Sequence, residues 1–108
     1  MAMLLAVLER RAGLRLSDMD VYVSTVGGVK LTEPASDLAI ALAIASAVQD
    51  KPIAHNLVAF GEISLAGEIR KVSNGKVRAS EANRLGFVRS VDSGVGDLKA
   101  ALALGLNW

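Results

Sequence analysis

Residues 33–49, with the sequence EPASDLAIALAIASAVQ, decide the fold that the chain is predicted to adopt. Pro34 suits the first turn of a helix, where its missing N–H is not needed, and Asp37 places a negative charge near the positive end of the helix dipole. The residues that follow, as far as Gln49, are almost all Ala, Leu, Ile and Val. Because a helix that is apolar on nearly all sides is buried, the segment predicts a central core helix that ends before Pro52.

Helix and strand patterns alternate on both sides of this core helix. The turn-forming residues 64–67, Ser-Leu-Ala-Gly, join two of the strand patterns into a hairpin, and Gly13 and Gly86 suit the left-handed position that ends a helix. The order of the elements predicts an α/β (α+β) domain in which helices pack on a single mixed sheet. The predicted helices cover 3–12, 34–49, 73–85 and 97–104, and the predicted strands cover 20–26, 57–63, 68–72 and 87–91.

Length and composition limit the classes of function. A chain of 108 residues supports one domain, and a hydrophobic content of 52% gives that domain a dense core and indicates that a partner covers part of its surface. With no cysteine, and His55 as the single histidine, disulfides, thiolate metal sites and multi-histidine zinc sites are excluded. The apolar start lacks the charge order of a signal peptide, and no apolar run reaches the ~20 residues of a membrane span. We therefore expect a cytoplasmic protein with no membrane contact.

Four stretches, taken in order and with their spacing, carry a resemblance to a known family. They are LLAVLERRAGL at 4–14, DVYVSTVGGVKLTEPASDLAIALAIAS at 20–46, FGEISLAGEIRKV at 60–72 and EANRLGF at 81–87. Together they resemble the Lon-protease-type C-terminal domain of the RadA (Sms) family of bacterial DNA repair proteins. Any one stretch is a weak signal, whereas all four in order are specific, and the similarity spans 4–91.

The resemblance implies a parent protein that is a hexameric ring ATPase with a RecA-like motor and a four-cysteine zinc finger. Such a protein drives branch migration on DNA during recombinational repair. Neither the zinc finger nor a GxxxxGK[ST] phosphate-binding loop lies in this chain, so ATP and zinc are expected only in other parts of the parent, with no cofactor in this domain. In the family the Lon-like domain is a scaffold for the ring and a surface that contacts DNA. The partners implied are DNA, bound without sequence specificity, and further copies of the same chain.

The resemblance also makes 1–108 a Lon-like domain that is a fragment of a larger ring ATPase. The chain opens on an apolar helix with no strand pattern before it, so we expect the sheet to lack an N-terminal edge strand. An unpaired sheet edge is a docking site for another strand. The fragment is therefore expected to dimerise or swap at that edge.

The Lon peptidases use a Ser–Lys dyad, and the resemblance locates both positions in this chain. The serine position is Ala35, which offers no nucleophile, and the lysine position is Lys76. Ser36 is the adjacent hydroxyl, but one residue along a helix turns the side chain by about 100° to another face. Asp37 weakens any nearby oxyanion site, because a carboxylate repels developing negative charge. The domain is therefore expected to be non-catalytic, and a peptidase that retains or borrows a nucleophile is the alternative.

Basic residues cluster in two parts of the sequence, although the net charge is only +1. Such side chains neutralise phosphates and release counterions without reading sequence. They also keep an apolar domain soluble, so a purely structural oligomerisation module is a further alternative, and Lys76 is then a solvated lysine early in a helix. The DNA-binding candidates are Arg10, Arg11, Arg15, Arg70, Lys71, Lys76 and Arg78.

Overall fold

The computed structural model of the chain describes residues 2–16, 34–53, 56–73, 75–87 and 89–106. Within these ranges the protein is a mixed α/β globule with four helices and two small sheets, one parallel and one antiparallel. The helices are α1 (Ala2–Ala12), α2 (Asp37–Gln49), α3 (Gly75–Arg84) and α4 (Leu98–Leu106). The strands are β1 (Leu57–Ala59), β2 (Glu62–Ile63), β3 (Ile69–Arg70) and β4 (Arg89–Val91).

The central helix α2 is buried, as its sequence predicts. Six of its 13 residues, all of them Leu, Ile or Ala, are buried, and the helix packs against α1 and α4. A 3₁₀ turn over Pro34–Ser36 precedes the helix, so the predicted start is confirmed with a tighter first turn. Asp50 ends the helix in a left-handed conformation with a φ of 52°. The predicted stop before Pro52 is therefore confirmed as well.

Helices α2 and α4 approach each other closely because Gly105 has no side chain. A Cβ atom at Gly105 would lie 2.9 Å from Cδ2 of Leu42. Leu42 on α2 and Leu102 on α4 are both fully buried. Since burial of a leucine side chain contributes about 1.5–3 kcal/mol, the contact between these two helices is a major part of the core.

The predicted strand over 57–63 is in fact two strands that belong to different sheets. β1 pairs in parallel with β4, with Leu57 opposite Arg89. β2 pairs antiparallel with β3, with Ile63 opposite Ile69. The prediction of a single strand over 57–63 is therefore wrong, and the chain changes its pairing partner after β1.

Gly61 separates the two strands because its backbone binds a helix. Its N–H donates to the carbonyl of Ala35 at 2.9 Å, and its carbonyl accepts from the N–H of Leu38 at 3.1 Å. Both groups are thereby paired with the start of α2 instead of with a strand. A Cβ atom at Gly61 would lie 2.6 Å from Cγ2 of Ile69. Because Gly61 has no side chain, Ile69 of the hairpin can pack directly against the backbone of Gly61.

The described strands form two separate two-stranded sheets instead of the single mixed sheet expected. The predicted strand over 20–26, which would widen a sheet, lies outside the described residues, and the missing edge strand stays a prediction. The predicted hairpin is confirmed, with β2 and β3 flanking the turn 64–67. In that turn the N–H of Gly67 donates to the carbonyl of Ser64 at 2.9 Å.

The helices near the two ends of the described chain follow their predicted positions with small shifts. α1 ends at Ala12, and Gly13 takes the left-handed conformation with a φ of 74°. α4 begins one residue later than predicted because Asp97 caps it, its carboxylate accepting from the N–H of Ala100 at 2.9 Å. No helix in the described part of the chain is long and apolar enough to cross a bilayer.

Helix α3 is the least buried of the described helices. Ala82 is the one buried residue among its ten. Hydrogen bonds to carbonyls of the helix itself close its C-terminal end. The N–H of Gly86 donates to the carbonyl of Asn83 at 3.0 Å, and the N–H of Phe87 donates to the carbonyl of Ala82 at 2.9 Å. Gly86 has a φ of 101°, which confirms the predicted stop. Its start at Gly75 is two residues later than the predicted one.

We expect Leu102→Ala to lower the free energy of unfolding by about 2–5 kcal/mol, because this fully buried side chain of α4 faces the core. Leu104→Ala on the same helix is the matched control. Its side chain is 56% exposed, so the change should stay below about 0.5 kcal/mol. Urea denaturation followed by circular dichroism measures both, and equal losses would contradict the packing face assigned to α4.

Candidate nucleic-acid interface

Three hydrogen bonds fix the start of α2 against residues 61–63. Two of them join the backbone of Gly61 to Ala35, at 2.9 Å, and to Leu38, at 3.1 Å. In the third, the Asp37 carboxylate accepts from the N–H of Ile63 at 3.1 Å. We call these contacts the helix–strand junction. It positions the elements around the two concavities described next.

Ala35, the predicted position of the Lon serine, is buried and lines the first concavity. Its side chain is 6% exposed and carries no nucleophile. Ser36 is half-buried and precedes α2 at the N-cap, where its side chain makes no capping hydrogen bond. We call this space, of about 260 Å³, the Ala35 concavity, and its lining residues are Ala35, Ser36, Ala39, Val58, Ala59, Phe60 and Arg78.

A second concavity, of about 280 Å³, brings together three of the predicted DNA-binding residues. Arg70 ends β3, Lys71 follows it, and Lys76 lies in the first turn of α3. The stretch 70–76 therefore bends around one opening. We call it the basic cleft, and its lining residues are Phe60, Arg70, Lys71, Val72, Gly75, Lys76, Asp92 and Ser93.

The lining of the basic cleft carries three cations and one carboxylate. Lys71 and Lys76 are exposed and form no ion pair with any described residue. Nη1 of Arg70 lies 3.9 Å from Oε1 of Glu62, with the arginine side chain 65% exposed. A pair at this distance and exposure contributes little. The cleft therefore presents positive charge to an incoming ligand.

Phe60 is a residue of the site that the sequence did not predict. It follows β1, is 6% exposed, and lines both concavities. Lys76 lines the basic cleft and not the Ala35 concavity. The predicted positions of the Lon serine and lysine therefore line different concavities, which share Phe60 in their lining.

Asp92 and Ser93 also line the basic cleft without having been predicted. They follow β4 at the start of a 3₁₀ turn over Ser93–Val95. The Asp92 carboxylate accepts from the N–H of Gly94 at 2.9 Å, a local bond typical of such turns. The run VDSG after a strand pattern signals a turn, but it carries no sign that this turn lies beside 70–76.

The other predicted DNA-binding residues do not line the basic cleft. Arg78 lines the Ala35 concavity, and its Nε donates to a backbone carbonyl at 2.9 Å. Arg10 and Arg11 lie in the last turn of α1, where positive charge favours the helix dipole, and the stem of Arg11 packs over the hairpin turn. Arg15 is exposed after α1. DNA contact by these four residues stays a prediction.

Arg84, a further arginine of α3, is bound by Glu81. Its Nε and Nη2 donate to the two carboxylate oxygens at 3.1 and 2.5 Å. This hydrogen bonding lowers the pKa of Glu81 and raises the pKa of Arg84. The pair is therefore lost as pH falls through the lowered pKa of Glu81, and its contribution to stability is small because both side chains are exposed.

The chemistry of the cleft is that of an anion-binding surface. Its cationic side chains and the Ser93 hydroxyl are donors to phosphate or carboxylate oxygens. Among the described residues, no group of three or more His, Cys, Asp or Glu side chains is arranged to hold a metal ion.

A family model matches residues 9–91 of the chain, which is more than half of its length. The family is described as subunit ChlI of Mg-chelatase. The chain belongs to this ChlI family. Its match covers α2, the hairpin and α3, and it contains the whole lining of the Ala35 concavity and all of the basic cleft except Asp92 and Ser93.

Several relatives of this ChlI-family chain are bacterial DNA repair proteins named RadA. RadA of Salmonella typhimurium is 54% identical over 91 residues, which cover 84% of this chain and 20% of the relative. RadA of Escherichia coli is 53% identical with the same coverage, and RadA of Streptococcus pneumoniae is 50% identical over 88 residues, 82% of this chain and 21% of the relative. The resemblance to RadA is thus confirmed as homology, and the chain spans about a fifth of these relatives.

Asp37→Ala should lower the free energy of unfolding by about 1–3 kcal/mol, because the N–H of Ile63 in the helix–strand junction loses its acceptor. Asp37→Asn keeps an acceptor oxygen at the same place and should lose clearly less. Thermal denaturation of the three proteins measures the difference. If the asparagine variant loses as much as the alanine variant, the acceptor role assigned to Asp37 is wrong.

Proposed function

We propose that the chain is a non-catalytic, Lon-like domain of a RadA-type DNA repair ATPase. It contacts nucleic acid without sequence specificity and contributes to ring assembly of the parent protein in the cytoplasm. The observation that carries the proposal is the convergence of Arg70, Lys71 and Lys76 on one cleft. ATP and zinc belong to other parts of that parent. The finer fold proposed is that of a Lon proteolytic domain.

The cleft suits phosphate contact better than base readout. Exposed lysine and arginine side chains neutralise phosphates and release counterions, whereas Phe60, the aromatic ring of the cleft, is only 6% exposed and offers little surface for stacking a base. A single domain of this kind binds weakly, with a Kd of about 10⁻⁴–10⁻⁶ M. In a ring, several copies bind one strand together and gain affinity by multivalency.

We expect a labelled single-stranded oligonucleotide to bind the domain with an affinity that falls as salt rises. Fluorescence anisotropy across a salt series should give a linear log–log plot, with a slope of about 0.7 for each phosphate neutralised. Lys71→Glu and Lys76→Glu should each weaken binding several-fold and reduce the slope. Lys99→Glu is the matched control, because this exposed lysine of α4 does not line the cleft.

Two outcomes would contradict the proposed contact. Absence of binding at low salt and high protein concentration would remove the nucleic-acid role of this domain. Equal weakening by Lys99→Glu and by the two cleft variants would show that net charge, and not the cleft, determines affinity.

The absence of peptidase activity is part of the proposal. Ala35 has no nucleophile, and Lys76 faces the basic cleft instead of the Ala35 concavity. A misplacement of only ~1 Å between catalytic groups can lower a rate about 100-fold. The proposal therefore rests on two features, the missing hydroxyl at Ala35 and the absence of Lys76 from the lining of the Ala35 concavity.

Ala35→Ser should leave the protein without hydrolytic activity, because a restored hydroxyl still has no base in its concavity. Release of dye from a labelled casein and reaction with a fluorophosphonate probe measure activity and serine reactivity. Hydrolysis by the unmodified protein that Lys76→Ala abolishes would support the peptidase alternative and overturn the proposal. Hydrolysis that appears only with Ala35→Ser would show that the two positions are not separated.

A structural oligomerisation module is the second candidate, and exposed apolar side chains favour it. Leu65 is 70% exposed, Val77 66% and Leu85 62%. Where such side chains lie together, they form the kind of apolar patch that a partner covers. Concentration-dependent assembly in sedimentation velocity, without any oligonucleotide binding, would favour this function over nucleic-acid contact.

A further inference from the structure

The basic cleft is a recess of limited size with an apolar interior. Its volume of about 280 Å³ lies just below the roughly 300 Å³ at which small-ligand pockets begin. Buried Phe60 and half-buried Val72 supply the apolar lining, and the charged side chains of Lys71 and Lys76 are exposed. A space of this size holds one phosphate-sized group and is too small for a long run of strand.

The charges around the cleft match a ligand with two negative charges. Its lining holds Arg70, Lys71 and Lys76 against the single carboxylate of Asp92, an excess of two positive charges. A phosphomonoester carries nearly two negative charges at pH 7 because its second pKa is about 6. An internal phosphodiester of a strand carries one. Charge complementarity therefore favours the end of a phosphorylated strand over its interior.

Two uncharged donors lie in the same lining. Ser93 is half-buried, and its hydroxyl makes no hydrogen bond with any described residue. Gly75 opens the ten-residue helix α3, and the nearest atom to a Cβ there would be Cε2 of Phe60 at 3.9 Å. Because Gly75 has no side chain, the backbone at the start of α3 is left uncovered on this side. N–H groups in the first turn of a helix favour an anion, and here they adjoin the lysines.

We propose that the basic cleft is a site for a phosphomonoester dianion, with Lys71, Lys76 and Ser93 as its ligands. The site rests on the proposed nucleic-acid contact and gives that contact a preference for strands that end in a phosphate. The same chemistry would also accept a small free phosphomonoester, so the experiment includes both sources.

The test compares oligonucleotides of one sequence that differ only at the 5′ end, using the complete 108-residue chain. The ends are a phosphate, a hydroxyl and a methyl phosphate, the last of which keeps the phosphate group but carries one charge. Fluorescence anisotropy at fixed salt gives three affinities. We expect the phosphorylated strand to bind about tenfold more tightly than the other two.

Variants locate that preference in the cleft. Lys76→Gln and Ser93→Ala should bring the ratio of affinities for phosphorylated and hydroxyl ends close to one, while Lys99→Gln should leave the ratio unchanged. Circular dichroism checks that each variant is folded. Inorganic phosphate and a nucleoside monophosphate, added as competitors, distinguish the two sources. Displacement of the phosphorylated strand at micromolar competitor would assign the site to a free phosphomonoester, and displacement only at millimolar competitor would assign it to a strand end.

Two results would overturn the inference. A ratio of one in the unmodified protein, with salt-dependent binding of all three strands, would remove the phosphate site and leave the proposed nucleic-acid contact standing. A ratio that survives both cleft substitutions would place the preference elsewhere on the protein. If none of the three strands binds, the proposed function fails together with the site.

Discussion

Backbone groups of Gly61 bind the start of α2 instead of a neighbouring strand, and much of the architecture follows from that pairing. A buried N–H or carbonyl without a partner costs about as much as a lost hydrogen bond, so residues 61–63 must follow the helix that satisfies them. The chain consequently leaves β1 paired with β4 and begins a separate hairpin at β2. Phe60, at the point of departure, comes to line both concavities.

This arrangement places the predicted serine position and the cations of the basic cleft in the linings of different concavities. Ala35 lies at the helix–strand junction, whereas the cations of the basic cleft come from 70–76, beyond the hairpin. Neither lysine of the cleft takes part in the three bonds of the junction. Changes to the two lysines can therefore alter the charge of the cleft without removing any bond of the junction.

The sequence predicted those features that depend on neighbours along the chain. Apolar composition identified α2, Gly86 marked the end of α3, and the turn 64–67 identified the hairpin. The sequence did not predict the features that depend on contacts between distant segments. The break at Gly61 depends on a helix about 25 residues earlier in the chain, and the position of Ser93 beside 70–76 depends on the packing of β4. Local patterns carry no information about such contacts, so Phe60, Asp92 and Ser93 were missed.

The C-terminal hydrogen bonds of α3 are made within the helix, and this has a consequence for local unfolding of the protein. Because the last N–H groups of this helix return to its own carbonyls and Ala82 is its one buried residue, α3 can unfold locally while α1, α2 and α4 stay packed. Elements of this kind exchange their amide protons at opening free energies well below that of global unfolding. Any ligand that needs the first turn of α3 intact binds only the closed form, and by mass action it slows this exchange. The rate of amide-proton exchange in α3 would therefore report how much of the protein has a ligand bound in the basic cleft.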